Sequence, residues 1–114
     1  MKLTNHLSRV IEDHIYNLAD YQKEIQKDIK LGGMNRTLYL QDVRLRELQR
    51  ITQAIEQVFN ELAENKQEFI ATLFLEGRTP TIQAAAEQTF TSLSTAKRIK
   101  KEFIESIAVK LGWI

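Results

Sequence analysis

Apolar residues recur every three or four positions through most of the chain, and few glycines or prolines interrupt them. This spacing places them along one face of an α-helix. The pattern predicts a first helix over residues 3–31, whose stripe consists of Leu3, Leu7, Val10, His14, Leu18, Tyr21, Ile25 and Ile29. We expect Gly32 and Gly33 to end it, because glycine readily adopts the left-handed conformation that closes many helices. The stripe is narrow, as in a coiled-coil seam, and needs a partner helix from this chain or another.

A second helical pattern covers residues 37–62, with its stripe at Leu38, Gln41, Leu45, Leu48, Thr52, Ile55, Phe59 and Leu62. The polar run at 63–66 interrupts the stripe, so we predict a break there and a separate helix over residues 67–75. One continuous helix through residue 75 is the alternative. The predicted third helix is strongly apolar, with Phe69, Ile70, Leu73 and Phe74. It should form the core on which the C-terminal helices pack.

Residues 81–111 predict two helices joined by a tight turn. Pro80 fixes the chain before Thr81, whose hydroxyl is suited to cap a helix N-terminus. The first helix repeats small and apolar residues at Ile82, Ala85, Ala86 and Thr89. Small side chains let another helix approach closely, so this helix should cross the next one.

Ser92 is the predicted N-cap of the last helix, which should begin at about Leu93. Its apolar face is predicted to consist of Ala96, Ile99, Phe103, Ile107 and Leu111. The opposite face carries Ser94, Thr95, Lys97, Arg98 and Lys101. These residue types contact phosphates and base edges when the start of a recognition helix lies in a major groove. The stretch therefore indicates a helix-turn-helix that enters DNA.

The predicted DNA-binding residues are Arg78, Ser92, Ser94, Thr95, Lys97, Arg98 and Lys101. The alternative is an amphipathic helix with a solvated charged face, which is common in proteins. For Arg78, a solvated loop arginine is the corresponding alternative. The short alanine-rich helix, the turn and the longer basic helix together favour DNA binding over the charge pattern considered by itself.

The whole chain is predicted to be all-α, with a long helical hairpin or coiled-coil seam over residues 1–62 and a helix-turn-helix domain over residues 66–114. Charge is distributed unevenly along it. Residues 1–35 are balanced, residues 36–76 carry a net −2 and residues 77–114 carry a net +3. Positive charge is thus concentrated in the segment predicted to bind DNA, but the excess is modest, and dimerisation would strengthen binding.

Other features limit the function classes. The chain has no cysteine and no run near the roughly 18 apolar residues of a membrane span, so we expect a cytoplasmic location. His6 and His14 are eight residues apart, which is not the one-turn spacing of a helical zinc pair, so we expect packed or surface histidines and no metal. No phosphate-binding loop, activated nucleophile or carboxylate cluster is recognisable. We therefore expect neither an enzyme nor a cofactor.

The C-terminal Trp113 is the only tryptophan. We expect it to fold back onto the apolar segment from Phe69 to Phe74, because burying a ring of this size is favourable. A partner-binding anchor is the alternative interpretation.

Several stretches resemble one family: the Thr-Ile helix start and alanine-rich helix, the Ser-x-Ser-Thr turn into a Lys-Arg helix, and the ending ESIAVKLGWI. They are similar to the C-terminal part of the RinA and ArpU family of phage-type transcriptional regulators and to region 4 of sigma factors. RVIEDHIYNLADYQKEIQKDI and RLRELQRITQAIEQVFNEL resemble that family's N-terminal helices. The central LGGMNRT is shorter than expected for the family. Phe90 occupies a turn position where such motifs often carry glycine, and a non-glycine residue tolerates positive φ poorly.

The resemblance implies a regulator of phage or prophage genes, an activator of late genes. The expected partners are double-stranded DNA, a further copy of the chain, with a dimer favoured, and RNA polymerase. Two other interpretations remain open. A phage terminase small subunit also joins a helix-turn-helix to an oligomerising helical segment, and ring assembly would favour it. A helical protein-interaction module that never meets nucleic acid is the third.

Overall fold

The computed structural model describes residues 3–31, 43–75 and 81–114, and all regular structure in these segments is helical. The predicted all-α fold class is therefore confirmed. The helices are α1 (Asn5–Tyr16), α2 (Leu18–Leu31), α3 (Val43–Glu61), α4 (Glu64–Ile70), α5 (Ile82–Gln88) and α6 (Leu93–Lys110), and a π-helical segment (Ala71–Leu75) continues α4. None of these helices is both long and apolar enough to cross a membrane.

The single helix predicted over residues 3–31 is wrong, because the chain breaks it at Asn17 into α1 and α2. The side-chain amide of Asn17 donates a hydrogen bond to the carbonyl of Asp13 at 2.8 Å, and the Asn17 backbone N–H donates to the same oxygen at 3.0 Å. A side chain that bonds its own backbone in this way competes with continued helix. Helix α1 packs on α6, and α2 packs on α3.

Burial in α1 follows from this arrangement. Ile11 and Ile15 are the buried residues of α1, whereas the predicted stripe positions Val10 and His14 are half-buried. Helix α1 contacts both α6 and the π-helical segment, so its apolar face is wider than a coiled-coil seam. The centre of this face lies about one residue after the predicted stripe.

The helix predicted to end near residue 62 does so. Helix α3 ends at Glu61, residues 62 and 63 lie between helices, and α4 begins at Glu64. A break near the predicted position is confirmed and the continuous alternative through residue 75 is wrong, but the interruption is shorter than the predicted 63–66, since α4 begins at Glu64 and not at residue 67. The side chain of Gln67 donates to the carbonyl of Phe59 at 3.0 Å, which satisfies an acceptor near the end of α3.

One hydrophobic core joins the two predicted parts of the chain. Phe69, Ile70, Leu73 and Phe74 are all at most 6% exposed, as predicted for the segment on which the C-terminal helices pack. The same core contains buried residues of α1, α2, α3, α5 and α6. The C-terminal helices therefore pack directly on those of residues 1–62.

The C-terminus returns to the N-terminal helix. Leu111 closes α6, and Gly112 follows with φ of 74°, which only glycine adopts without strain. The Trp113 N–H then donates to the carbonyl of Ala108 at 2.9 Å. The Trp113 ring packs against the core with its centroid 6.0 Å from that of His14 in α1, so its aromatic neighbour is not the predicted Phe69–Phe74 segment.

Several predictions concern residues outside the described segments. These are the helix end at Gly32 and Gly33, the loop with sequence LGGMNRT, the start of the second helix at residue 37, and the positions of Arg78 and Pro80.

His14 is a packed histidine at the junction of α1, α2 and the C-terminus. Its Nδ1 lies 2.8 Å from the hydroxyl oxygen of Tyr21, and its ring contacts that of Trp113. Partial removal from water lowers the pKa of His14 below 6.5, and the nearby carboxylates of Asp13 and Glu47 oppose this shift. Folding therefore favours the neutral imidazole.

This lowered pKa predicts a loss of stability in mild acid. Below about pH 6.5 the unfolded chain binds a proton that folded His14 resists, so the free energy of unfolding should fall until the pH passes the folded pKa. His14→Gln should remove this component, so that its stability difference from the wild type shrinks between about pH 7.5 and about pH 5.5. Urea denaturation at each pH measures the difference.

His6→Gln provides the matched control, because His6 is exposed on the same helix. It should leave the pH dependence in place. An unchanged pH dependence in His14→Gln would contradict the assignment.

Candidate nucleic-acid interface

Helices α5 and α6 form the predicted pair of helices joined by a tight turn. The hydroxyl of Thr81 accepts a hydrogen bond from the Ala84 N–H at 3.2 Å, which confirms Thr81 as the N-cap of α5. At the helix contact Ala85, Ala86 and Ala96 are at most 2% exposed. Methyl side chains at these positions let the two backbones approach closely.

The turn between the helices is held by a hydrogen-bonded motif that usually requires glycine. The Phe90 N–H donates to the carbonyl of Glu87 at 3.3 Å, and the Thr91 N–H donates to that of Ala86 at 2.8 Å. These are the two bonds of a Schellman motif, which places Phe90 at the left-handed position with φ of 55°. Phe90 therefore adopts the glycine conformation itself, at a cost in strain.

Polar side chains reinforce this turn. The hydroxyl of Thr89 donates to the carbonyl of Ala85 at 2.9 Å and lies 3.1 Å from the hydroxyl of Thr91. The ring of Phe90 contributes nothing comparable, since the residue is 98% exposed. The path of the turn is thus set by backbone and threonine hydrogen bonds.

Ser92 and Thr95 build the start of α6. The hydroxyl of Ser92 accepts from the Thr95 N–H at 3.3 Å and donates to the Thr95 hydroxyl at 2.8 Å. Ser92 is thereby confirmed as the N-cap, and both hydroxyls are engaged in the cap. Of the hydroxyl residues in the predicted site, Ser94 is the one that the helix leaves exposed without such a role.

Helix α6 has two contrasting faces. The predicted apolar face is confirmed, since Ala96, Ile99, Phe103, Ile107 and Leu111 are at most 4% exposed. Ile104 and Ala108 are also buried, which the sequence interpretation missed.

The opposite face is polar and basic at its N-terminal half. Ser94, Lys97, Arg98 and Lys101 are all exposed there. Their spacing of three and four residues brings their side chains together on adjacent turns. The structure therefore groups four of the seven predicted site residues on one solvent-facing surface, which we call the basic face.

The basic face borders a cleft of about 290 Å³ between α6 and α1. Its polar lining consists of Lys97, Lys100 and Lys101 from α6 and of Ser8 and Glu12 from α1. Lys100 Nζ lies 2.9 Å from Glu12 Oε1.

The sequence interpretation did not include Ser8, Glu12 or Lys100. For Lys100, the signal was available as a lysine next to Lys101 on the same helix. For Ser8 and Glu12 no local signal exists, because their position depends on how α1 packs against α6.

The predicted site residue Arg78 lies outside the described residues. Within the described segments, no group of three or more histidine, cysteine, aspartate or glutamate side chains is placed to hold a metal ion.

Comparison of the chain with protein-family models, with curated proteins and with solved structures finds no match.

Phe90→Gly should stabilise the protein. The left-handed conformation costs an L-residue roughly 1–2 kcal/mol, and glycine avoids this cost but loses part of the gain through its larger unfolded-state entropy. Because the ring is 98% exposed, its removal sacrifices little packing. We expect a net increase of about 0.5–1 kcal/mol in the free energy of unfolding, measured by urea denaturation.

Phe90→Ala separates the two contributions, because alanine removes the ring and keeps the strain. It should change stability little. A Phe90→Gly protein no more stable than Phe90→Ala would show that the turn does not strain residue 90.

Proposed function

We propose that this chain is a DNA-binding protein that uses α5 and α6 as a helix-turn-helix, with α6 as the recognition helix. The observation that carries the proposal is the basic face of α6, which stands opposite the buried face of the same helix and directly follows a capped, hydrogen-bonded turn. In this arrangement the N-terminal half of a recognition helix reaches the major groove.

The side chains divide into two roles. Lys97, Arg98 and Lys101 are long, exposed cations suited to phosphate oxygens, and Arg98 can also bond a guanine edge with two donors. Ser94 lies on the first turn of α6, where a recognition helix comes closest to base edges. Ser92 and Thr95 support binding indirectly by fixing the helix start. Arg78 remains a proposed phosphate contact from the sequence.

The biological role rests on the resemblance to the RinA and ArpU family. It supports a sequence-specific transcriptional regulator of phage or prophage genes, an activator of late genes, with RNA polymerase as a further partner. A homo-oligomer, most simply a dimer, fits the modest charge of residues 77–114, because two recognition helices on one DNA double the phosphate contacts.

Binding of purified protein to mixed-sequence duplex DNA across a salt series tests the proposal. Affinity should fall as salt rises, because bound lysines and arginines displace counterions from the duplex. The double variant Lys97→Ala with Arg98→Ala should bind more weakly, and its log–log salt slope should be shallower by about 2, or roughly 0.9 for each lost phosphate contact.

A charge-matched control is Lys23→Ala with Lys27→Ala, since both lysines are exposed on α2, which packs on α3. It should retain the wild-type salt slope. No binding by the wild type at low salt would refute the proposal and favour an interaction module. Equal losses in both double variants would refute the assignment of α6 as the recognition helix.

A further inference from the structure

The cleft between α1 and α6 combines a polar lining that includes three lysines and one glutamate with the apolar side chains of Leu3, Ile82 and Ile104. Its volume of about 290 Å³ accommodates a phosphate group with attached ester oxygens, and three lysines line one side of it. Lys97 lies three residues before Lys100 and four before Lys101, so it is a neighbour of both on the helix surface, and like charges at these spacings repel one another.

In the structure a carboxylate of the chain itself lies beside one of these lysines. Glu12 of α1 pairs with Lys100 at 2.9 Å, and the side chains are 25% and 31% exposed. The pair is thus reachable by solvent and by ligands at the mouth of the cleft. Because both side chains remain accessible to water, a ligand anion that approaches Lys100 can replace Glu12 as its partner.

We propose that the cleft binds a phosphate group of the DNA backbone and that Glu12 competes for it from within the chain. This inference rests on the proposed DNA-binding function and extends the basic face to Lys100 and Ser8, with Glu12 as its regulator. Lys100 bonds Glu12 in the free protein and transfers to a phosphate oxygen in the complex. Ser8 supplies a hydroxyl donor at the same cleft.

The competition has a defined consequence for affinity. Part of the attraction between Lys100 and DNA is used to replace the Glu12 contact, and the carboxylate then lies near the bound phosphate and repels it. Removing the negative charge should relieve both effects. Helix α1 therefore weakens DNA binding through Glu12, although it also builds one wall of the site.

The test compares Glu12→Gln with the wild type in duplex binding across a salt series. Glutamine keeps the size of the side chain and removes its charge. We expect binding about fivefold tighter at roughly 0.1 M salt and a log–log slope steeper by up to about 0.9, because the wild-type complex keeps a carboxylate beside the bound phosphate that offsets the release of one counterion. Glu12→Ala is a second variant with the same charge change, and thermal unfolding of both verifies folding.

Glu61→Gln is the matched control. Glu61 of α3 also pairs with a lysine of α6, Lys110, at 3.3 Å. Lys110 is the last residue of α6, at the end opposite the basic face. Glu61→Gln reproduces the change in net charge without touching the cleft, so its salt slope should equal that of the wild type. In a Lys100→Gln background, Glu12→Gln should no longer steepen the slope.

The outcomes separate the inference from the function on which it rests. A wild type that binds no duplex overturns both. A wild type that binds, together with Glu12→Gln that matches Glu61→Gln or binds more weakly, overturns the competition and leaves the proposed function standing.

Thermal unfolding in inorganic phosphate, compared with chloride at the same ionic strength, distinguishes a free phosphate compound from the DNA backbone as the ligand of the cleft. Stabilisation by inorganic phosphate without any effect of Glu12→Gln on duplex binding would assign the cleft to a free phosphate compound and overturn the proposal. A steeper slope on duplex DNA supports it.

Discussion

The structure depends on the burial of one face of α6 along its whole length. Ala96, Ile107 and Ala108 are fully buried, and Phe103 is 1% exposed. Helix α6 contacts α1, α3, α4 and α5, so it is the central element on which the other helices pack. Each fully buried large side chain contributes on the order of 1.5–3 kcal/mol relative to exposure, which makes rotation of this helix about its axis very costly.

This burial fixes the direction of the basic face. Because the apolar residues of α6 occupy fixed positions in the core, Lys97 and Arg98 must point to solvent, and the caps at Ser92 and Gly112 fix where the helix begins and ends. A site built on such a rigid element is more sharply positioned than one built on a loop. The conformation of Phe90 agrees with this view. The close packing of α5 and α6 requires a left-handed residue in the turn, and phenylalanine fits that conformation poorly.

The elements that the sequence predicted well are those determined by local rules. Thr81 and Ser92 are caps because of their own hydroxyls, and the apolar face of α6 follows from spacing over five positions. The break at Asn17 was missed because apolar spacing continues through it from Val10 to Ile25, and the side-chain bond of Asn17 to the carbonyl of Asp13 leaves no mark on that spacing. Apolar periodicity indicates which face of a helix is buried, but it does not indicate where one helix ends and the next begins.

The basic face was predictable, but the cleft beside it was not. Lys97, Arg98 and Lys101 belong to one helix, whereas Glu12 is separated from Lys100 by 88 positions and meets it only through packing of α1 on α6. The net charge of the chain is only +1, so we expect its affinity for DNA to depend more on where individual charges lie than on their sum.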